Sequence, residues 1–311
     1  MKKVTYVTVY WGDEYGRPPK TSTEKALDEA LAQGILQRVE RVRNIRLTEV
    51  SMDGYHLEGT GDEAFRFLME ILQPAAHLVN HSSVRVWKSY NRRELELAPL
   101  LVWRLTNQSI EDDWFDLEED GYQGGPGTSH RRCSVCRAEM EQVRDLLLDV
   151  RKMGKRDVSL TYSFEIILSP RLARMLQEAS FTGFTLQPVW HARKPHHGEP
   201  SLYQMVMTNI LPPMASPPTQ FEHGQRCEAC GTETKFLKHT HWWGRVQYYE
   251  ETSIHYPTAV LERTADFNAT WEQLGELSSW RRLLVISPRV YRWLQEQGVR
   301  GWSAEPVVLV E

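Results

Sequence analysis

The segment VTYVTVYW (4–11) alternates β-branched and aromatic residues and predicts a strand. TSTEKALDEALAQGIL (21–36) shifts to helical spacing behind a Thr21-x-x-Glu24 capping box. RNIRLTEVSMDGYHLEGT returns to alternation and turns at Asp53-Gly54, a hairpin signal. In DEAFRFLMEILQ the apolar Phe65, Leu68, Met69 and Leu72 recur along one helix face, and SVRVWKSY adds another strand. The order β-α-β-β-α-β is that of a ferredoxin-like domain, a fold that hosts many unrelated functions and so decides none.

Further along, the pattern repeats itself. ILSPRLARMLQEASFTGFTLQPV (167–189) is matched without a gap by VISPRVYRWLQEQGVRGWSAEPV (285–307), at a constant offset of 118. Each copy reads as an apolar strand end, Ser169 or Ser287 as N-cap, proline at the first helical position, and a short amphipathic helix. Leu172, Met175, Leu176 and Ala179 share one helix face, as do Val290, Trp293 and Leu294. Gly183 and Gly301 then permit a tight turn into a strand ending in Pro-Val. These features predict a duplicated α/β module with pseudo-twofold symmetry.

Two knuckles precede the two copies: HRRCSVCRAEM (130–140) and GQRCEACGTET (224–234). Their offset is 94 rather than 118, so the second copy holds about 24 extra residues, which fall in an aromatic-rich insertion at 238–256. The expected architecture is α+β. A ferredoxin-like domain spans 1–108 and an acidic, Gly-rich linker 109–129, ending in GYQGGPGTS. A first C-x-x-C module follows at 130–220, closed by LPPMASPPTQ, and a second at 221–311.

All four cysteines lie in the knuckles. A Cys-x-x-Cys turn sets two thiolates on one side of a loop, and two such turns can complete a tetrahedral four-sulfur shell, which suits zinc. The gap of 90 residues between Cys136 and Cys227 far exceeds that of a compact zinc ribbon, so the shared site rests on the duplication bringing the knuckles together. One structural zinc on Cys133, Cys136, Cys227 and Cys230 is the leading expectation. Two separate sites recruiting His130 and His223, a redox pair, and reduced thiols without metal remain open. A closed four-thiolate shell would be a staple, not a catalyst.

Composition changes the picture little. At 311 residues, 41% hydrophobic and 25% charged, the chain is expected to be a globular cytoplasmic protein, with no signal-peptide or membrane-span pattern. A net charge of -4 argues against bulk electrostatic attachment to nucleic acid. Seven acids crowd EDDWFDLEED (111–120), offering Glu111, Asp112, Asp113 and Asp116 to a basic partner or forming a solvated loop. The motifs of nucleotide-binding loops, serine hydrolases, kinases and His-Glu-x-x-His metalloproteases are missing from the sequence. His191, His196, His197 and Glu199 form the remaining candidate enzyme site. Arg193, Lys194, Lys238, His239, His241, Trp242, Trp243, Tyr248 and Tyr249 could serve single-stranded nucleic acid, although strand aromatics more often pair with one another.

The paired C-x-x-C knuckles, each followed by a Ser-Pro helix and a Gly-x-x-x-x-Pro-Val ending, with FTGF at 181–184, resemble the bacterial double-CXXCG motif proteins expanded in myxobacteria. The resemblance covers roughly 125–308, and Cys136 is followed by Arg137 where the motif has glycine. It implies a metal-stapled scaffold that binds another protein, as in members that are immunity proteins against a sibling cell's toxin. The expected function is thus non-enzymatic, zinc-stabilised protein binding, with the acidic block and the insertion around Trp242 and Trp243 as partner surfaces. A nucleic-acid accessory role and an enzyme with an unrecognised His/Glu site are the alternatives.

Overall fold

The computed structural model describes residues 1–10, 33–34, 37–38, 44–51, 54–74, 76, 84–105, 133, 145–161, 164–191, 197–222, 224–277 and 280–311. The protein is α+β. In chain order its strands are β1 (Lys2–Tyr10), β2 (Ile45–Ser51), β3 (Gly54–Thr60), β4 (Val84–Ser89), β5 (Leu101–Leu105), β6 (Leu146–Leu148), β7 (Val158–Leu160), β8 (Ile166–Leu168), β9 (Phe184–His191) and β10 (Leu202–Met207). They continue as β11 (Phe221–Glu222), β12 (Phe236–Leu237), β13 (Thr240–Trp243), β14 (Val246–Glu250), β15 (His255–Pro257), β16 (Phe267–Ala269), β17 (Leu284–Ile286), β18 (Trp302–Pro306) and β19 (Val308–Val310). The described α-helices are α1 (Asp62–Leu72), α2 (Arg92–Leu97), α3 (Pro170–Glu178) and α4 (Pro288–Glu296). The helix expected over 21–36 lies almost wholly outside the described residues, as does the turn residue Asp53.

The described chain forms two compact units, Met1–Asn91 with Lys238–Thr252, and Arg92–Leu237 with Ser253–Glu311. These differ from the sequence spans 1–108, 130–220 and 221–311 for two physical reasons. The aromatic insertion leaves the second module to pair with β4, and the stretch 92–105 supplies core to the second unit.

In the first unit the sheet order is β13-β14-β4-β1-β3-β2. The pairs β1–β3, β1–β4 and β2–β3 are antiparallel, and β14 joins β4 in parallel. One sheet face packs on α1, where Phe65, Leu68, Met69 and Leu72 are buried as their spacing predicts. Val7, Leu57, Val84, Val86 and Val246 meet them from the strands. The hairpin β13–β14 is anchored by Gln73, which donates through Nε2 to Trp243 O and accepts from Arg245 N at 2.8 Å. Lys88 Nζ donates to Glu251 O at 2.6 Å at the hairpin's other end.

Two of the described sheets of the second unit have related plans. One runs β6-β9-β10-β8-β7 and the other β16-β17-β5-β18. Set side by side, β7-β8-β10-β9 and β16-β17-β5-β18 have the same order, and every neighbouring pair is antiparallel. Their registers coincide as well. Leu168 and Pro188 both pair with Tyr203, while Ile286 and Pro306, each 118 residues on, both pair with Leu101.

Helices α3 and α4 occupy equivalent places between these strands. Ser169 Oγ accepts from Leu172 N at 3.1 Å and Ser287 Oγ from Val290 N at 3.3 Å, with proline at the first helical position in both. Leu172, Ala173 and Leu176 are buried, as are Val290, Tyr291 and Leu294. The buried stripe is thus turned from the expected one, taking in Ala173 and Tyr291 and leaving Met175 and Trp293 half-buried.

Both helices enter one core with Trp103, Ile166, Leu168, Phe267 and Ile286. At the seam Asp157 accepts from Ser169 Oγ, Arg171 Nε and Nη2, and from the backbone N of Arg300. Asp266 accepts from Ser287 Oγ, Arg289 Nη1, and from the backbone N of Thr182. Thr182 and Arg300 are again 118 apart, so each aspartate braces the N-cap serine and first-turn arginine of its own helix and reaches the equivalent point after the other helix. Arg171 donates to Gln297 O and Arg289 to Ala179 O, which repeats the exchange.

Candidate metal centre

The second knuckle is a hairpin tip. Thr234 N donates to Gln225 O at 2.9 Å and Cys227 N to Thr232 O at 2.8 Å, and Arg226 bridges Glu233 across them. The turn closes with Gly231 N donating to Cys227 O at 2.8 Å. Gly231 has φ 76°, in the left-handed region that favours glycine, which explains the glycine directly after Cys230. Gln225 Oε1 accepts from Leu277 N at 3.0 Å, and Leu277 packs against the cysteine pair.

Cys133 Sγ lies 3.6 Å from Cys227 Sγ, and both residues are buried. That distance is far beyond the ~2.05 Å of a disulfide. It matches the roughly 3.8 Å between two thiolates on one tetrahedral ion with metal–sulfur bonds of about 2.3 Å. Cys230 Sγ, on the exposed side, is 3.1 Å from Thr232 Oγ1. The sulfurs of Cys133, Cys227 and Cys230 all lie within 4.8 Å of one another, a group that can hold a metal ion. Three sulfurs converging from segments 94 residues apart are a soft donor set. Cys136 lies outside the described residues, as do His130 and His223.

The other candidates are scattered. Glu111, Asp112, Asp113, Asp116, Arg193, Lys194 and His196 lie outside the described residues. His191 ends β9 half-buried, while His197 and Glu199 are exposed. In the insertion, Trp243 packs on Phe65 at 5.8 Å between ring centroids and Tyr248 on the same ring at 5.2 Å, so both serve the first unit's core. Trp242 points the other way and is 61% exposed. His241 Nε2 lies 3.0 Å from Glu250 O, and the rings of His239 and His241 stack on Tyr249 and Tyr248.

Reading the sequence missed Leu277 and Gln225, which hold the knuckle from outside its motif, and the paired aspartates of the seam. No described helix is long and apolar enough to cross a membrane. No protein-family model matches the chain, and no curated protein matches it significantly.

Proposed function

We propose that this chain is a non-enzymatic, cytoplasmic protein-binding factor whose second unit is stapled by one zinc ion on Cys133, Cys136, Cys227 and Cys230. The carrying observation is the 3.6 Å approach of Cys133 Sγ and Cys227 Sγ, with Cys230 within the same small sphere. Zinc suits a sulfur-only shell with no open coordination position, and such a shell stabilises rather than catalyses. The strand order β4-β1-β3-β2 with antiparallel pairing supports a ferredoxin-like first unit. The matched registers and reciprocal bonds of Asp157 and Asp266 support a duplicated module with pseudo-twofold symmetry in the second. The resemblance to double-CXXCG proteins supplies the class of partner: another protein, a toxin where the members are immunity factors.

Native mass spectrometry of the protein purified from its own host tests this reading. The expected spectrum shows one zinc per chain, lost on denaturation and missing in Cys227→Ser, with an additional bound protein in the native state. Metal-free thiols, or a mass lower by a disulfide, would overturn the staple. A zinc-loaded chain without a protein partner would remove the binding role and leave the staple standing.

A further inference from the structure

The first unit's sheet has a second face, opposite α1, and its side chains are of a different kind. Following the strand pairing across all six strands, one row runs Arg46, Glu58, Tyr6, Arg85, Tyr249, Thr240. In the neighbouring row on one side Val4 pairs with Trp87, and on the other Gln247 pairs with Trp242. Because side chains alternate along a strand, these residues face away from Val7, Leu57, Val84, Val86 and Val246 of the core. Arg85 is exposed, and Trp87 and Trp242 are 55% and 61% exposed.

Charge distinguishes this face from the rest of the chain. Within the row that runs from Arg46 to Thr240, Glu58 is the one carboxylate, and Arg46 holds it at 2.6 Å. Arg85 stands between two tyrosines, and Lys2 extends the same face along β1 beside Ser89. Among the residues named here the cations Lys2, Arg46 and Arg85 outnumber the carboxylate Glu58, on a chain of net charge -4. Neighbouring strands lie about 4.8 Å apart, which sets Tyr6 and Tyr249 about 10 Å from each other with Arg85 in the gap.

We infer that this open sheet face binds single-stranded nucleic acid, with bases stacked on Tyr6, Trp87 and Tyr249 and phosphates held by Arg85 and Lys2. Aromatic platforms interleaved with cations bind single strands because every base has a stacking face and every linkage a negative charge. Duplexes keep their bases stacked inside and offer no such surface.

Fluorescence anisotropy on the full chain tests it, with labelled oligo(dT), a mixed single-stranded RNA and a duplex as probes. The expected result is saturable binding of both single strands, weak binding of the duplex, and steep weakening with added salt. Trp87→Ala, which leaves the core untouched, should weaken binding about tenfold. Arg85→Ala should reduce the slope of log affinity against log salt by about 0.7. Trp271→Ala, an exposed tryptophan of the other unit, should leave affinity unchanged. No saturable binding, or undiminished affinity in Trp87→Ala with native circular dichroism, would overturn the proposal. Equal competition by poly-glutamate would also overturn it, making the face a dock for acidic protein.

Discussion

The two strand–helix–strand segments of the second unit share capping, register and helix burial, yet they obtain their central strand from opposite directions. In the first, β10 follows β9 in the chain and slots between β9 and β8. In the second, the equivalent place between β17 and β18 is taken by β5, which begins 183 residues (284 − 101) before β17. The first draws its four matched strands from 158–207, whereas the second needs a strand from far upstream. Two segments matched in sequence thus share strand order and register over four strands and differ in connectivity, a difference expected to slow the second relative to the first during folding.

The largest effect should come from the paired glycines. Gly183 and Gly301 both have positive φ, 93° and 99°. A Cβ on Gly183 would sit 1.9 Å from Phe267 O, and one on Gly301 would sit 2.6 Å from Val158 O. Each glycine thus lets one copy approach the other's edge strand, and the first approach is the tighter. Gly183→Ala should lower stability by about 4 kcal/mol and Gly301→Ala by about 2 kcal/mol, read from urea unfolding. Equal losses would show that β7 and β16 yield alike and that the crowding at Phe267 is not rigid.

A second contrast lies in the aspartates. Asp157 grips Arg171 through two bonds of 3.0 and 2.8 Å, whereas Asp266 reaches Arg289 at 3.4 Å. The guanidinium of Arg171 is held above its ordinary basicity by that bond, but its half exposure screens the ion pair. Most of the value therefore comes from the less exposed bonds to Ser169 and to the Arg300 backbone. Asp157→Ala should cost about 2 kcal/mol and Asp266→Ala about 1 kcal/mol. A larger loss from Asp266→Ala would mean that its bonds to Thr182, through N and Oγ1, outweigh the arginine contact.

Much of this was legible from residue pattern alone, for reasons that particular elements make plain. Helices α1, α3 and α4 announce themselves by local chemistry, an apolar face in one case and Ser-Pro caps in the others. The expectation that Cys133 and Cys227 meet agrees with the 3.6 Å between their sulfurs. What stayed hidden depends on partners distant in the chain. HWWGRVQYY looks like an insertion offered to solvent, but β14 pairs with β4 about 160 residues earlier, and its aromatics divide between two faces of that sheet. Asp157 and Asp266 are 109 apart, not 118, so they fall out of the gapless match although they fill the same role. The apolar run LAPLLVW (97–103) does not by itself reveal that β5 completes a sheet formed at the other end of the chain.

The smallest effect concerns the caps, where the two copies should be alike. Ser169 and Ser287 each accept one backbone bond from the helix and donate one to the copy's aspartate, with distances of 3.1 and 3.3 Å against 3.3 and 3.0 Å. Replacing either with alanine should cost about 1 kcal/mol. The informative quantity is the double variant. If each cap acts only on its own helix, the two losses add to within about 0.5 kcal/mol. Asp157, however, joins Ser169 to the backbone of Arg300, and Asp266 joins Ser287 to that of Thr182, so loosening one aspartate relaxes the turn beyond the other copy's helix. A double variant losing clearly less than the sum would place both caps in one cooperative seam, because the second removal then acts on bonds the first has already weakened.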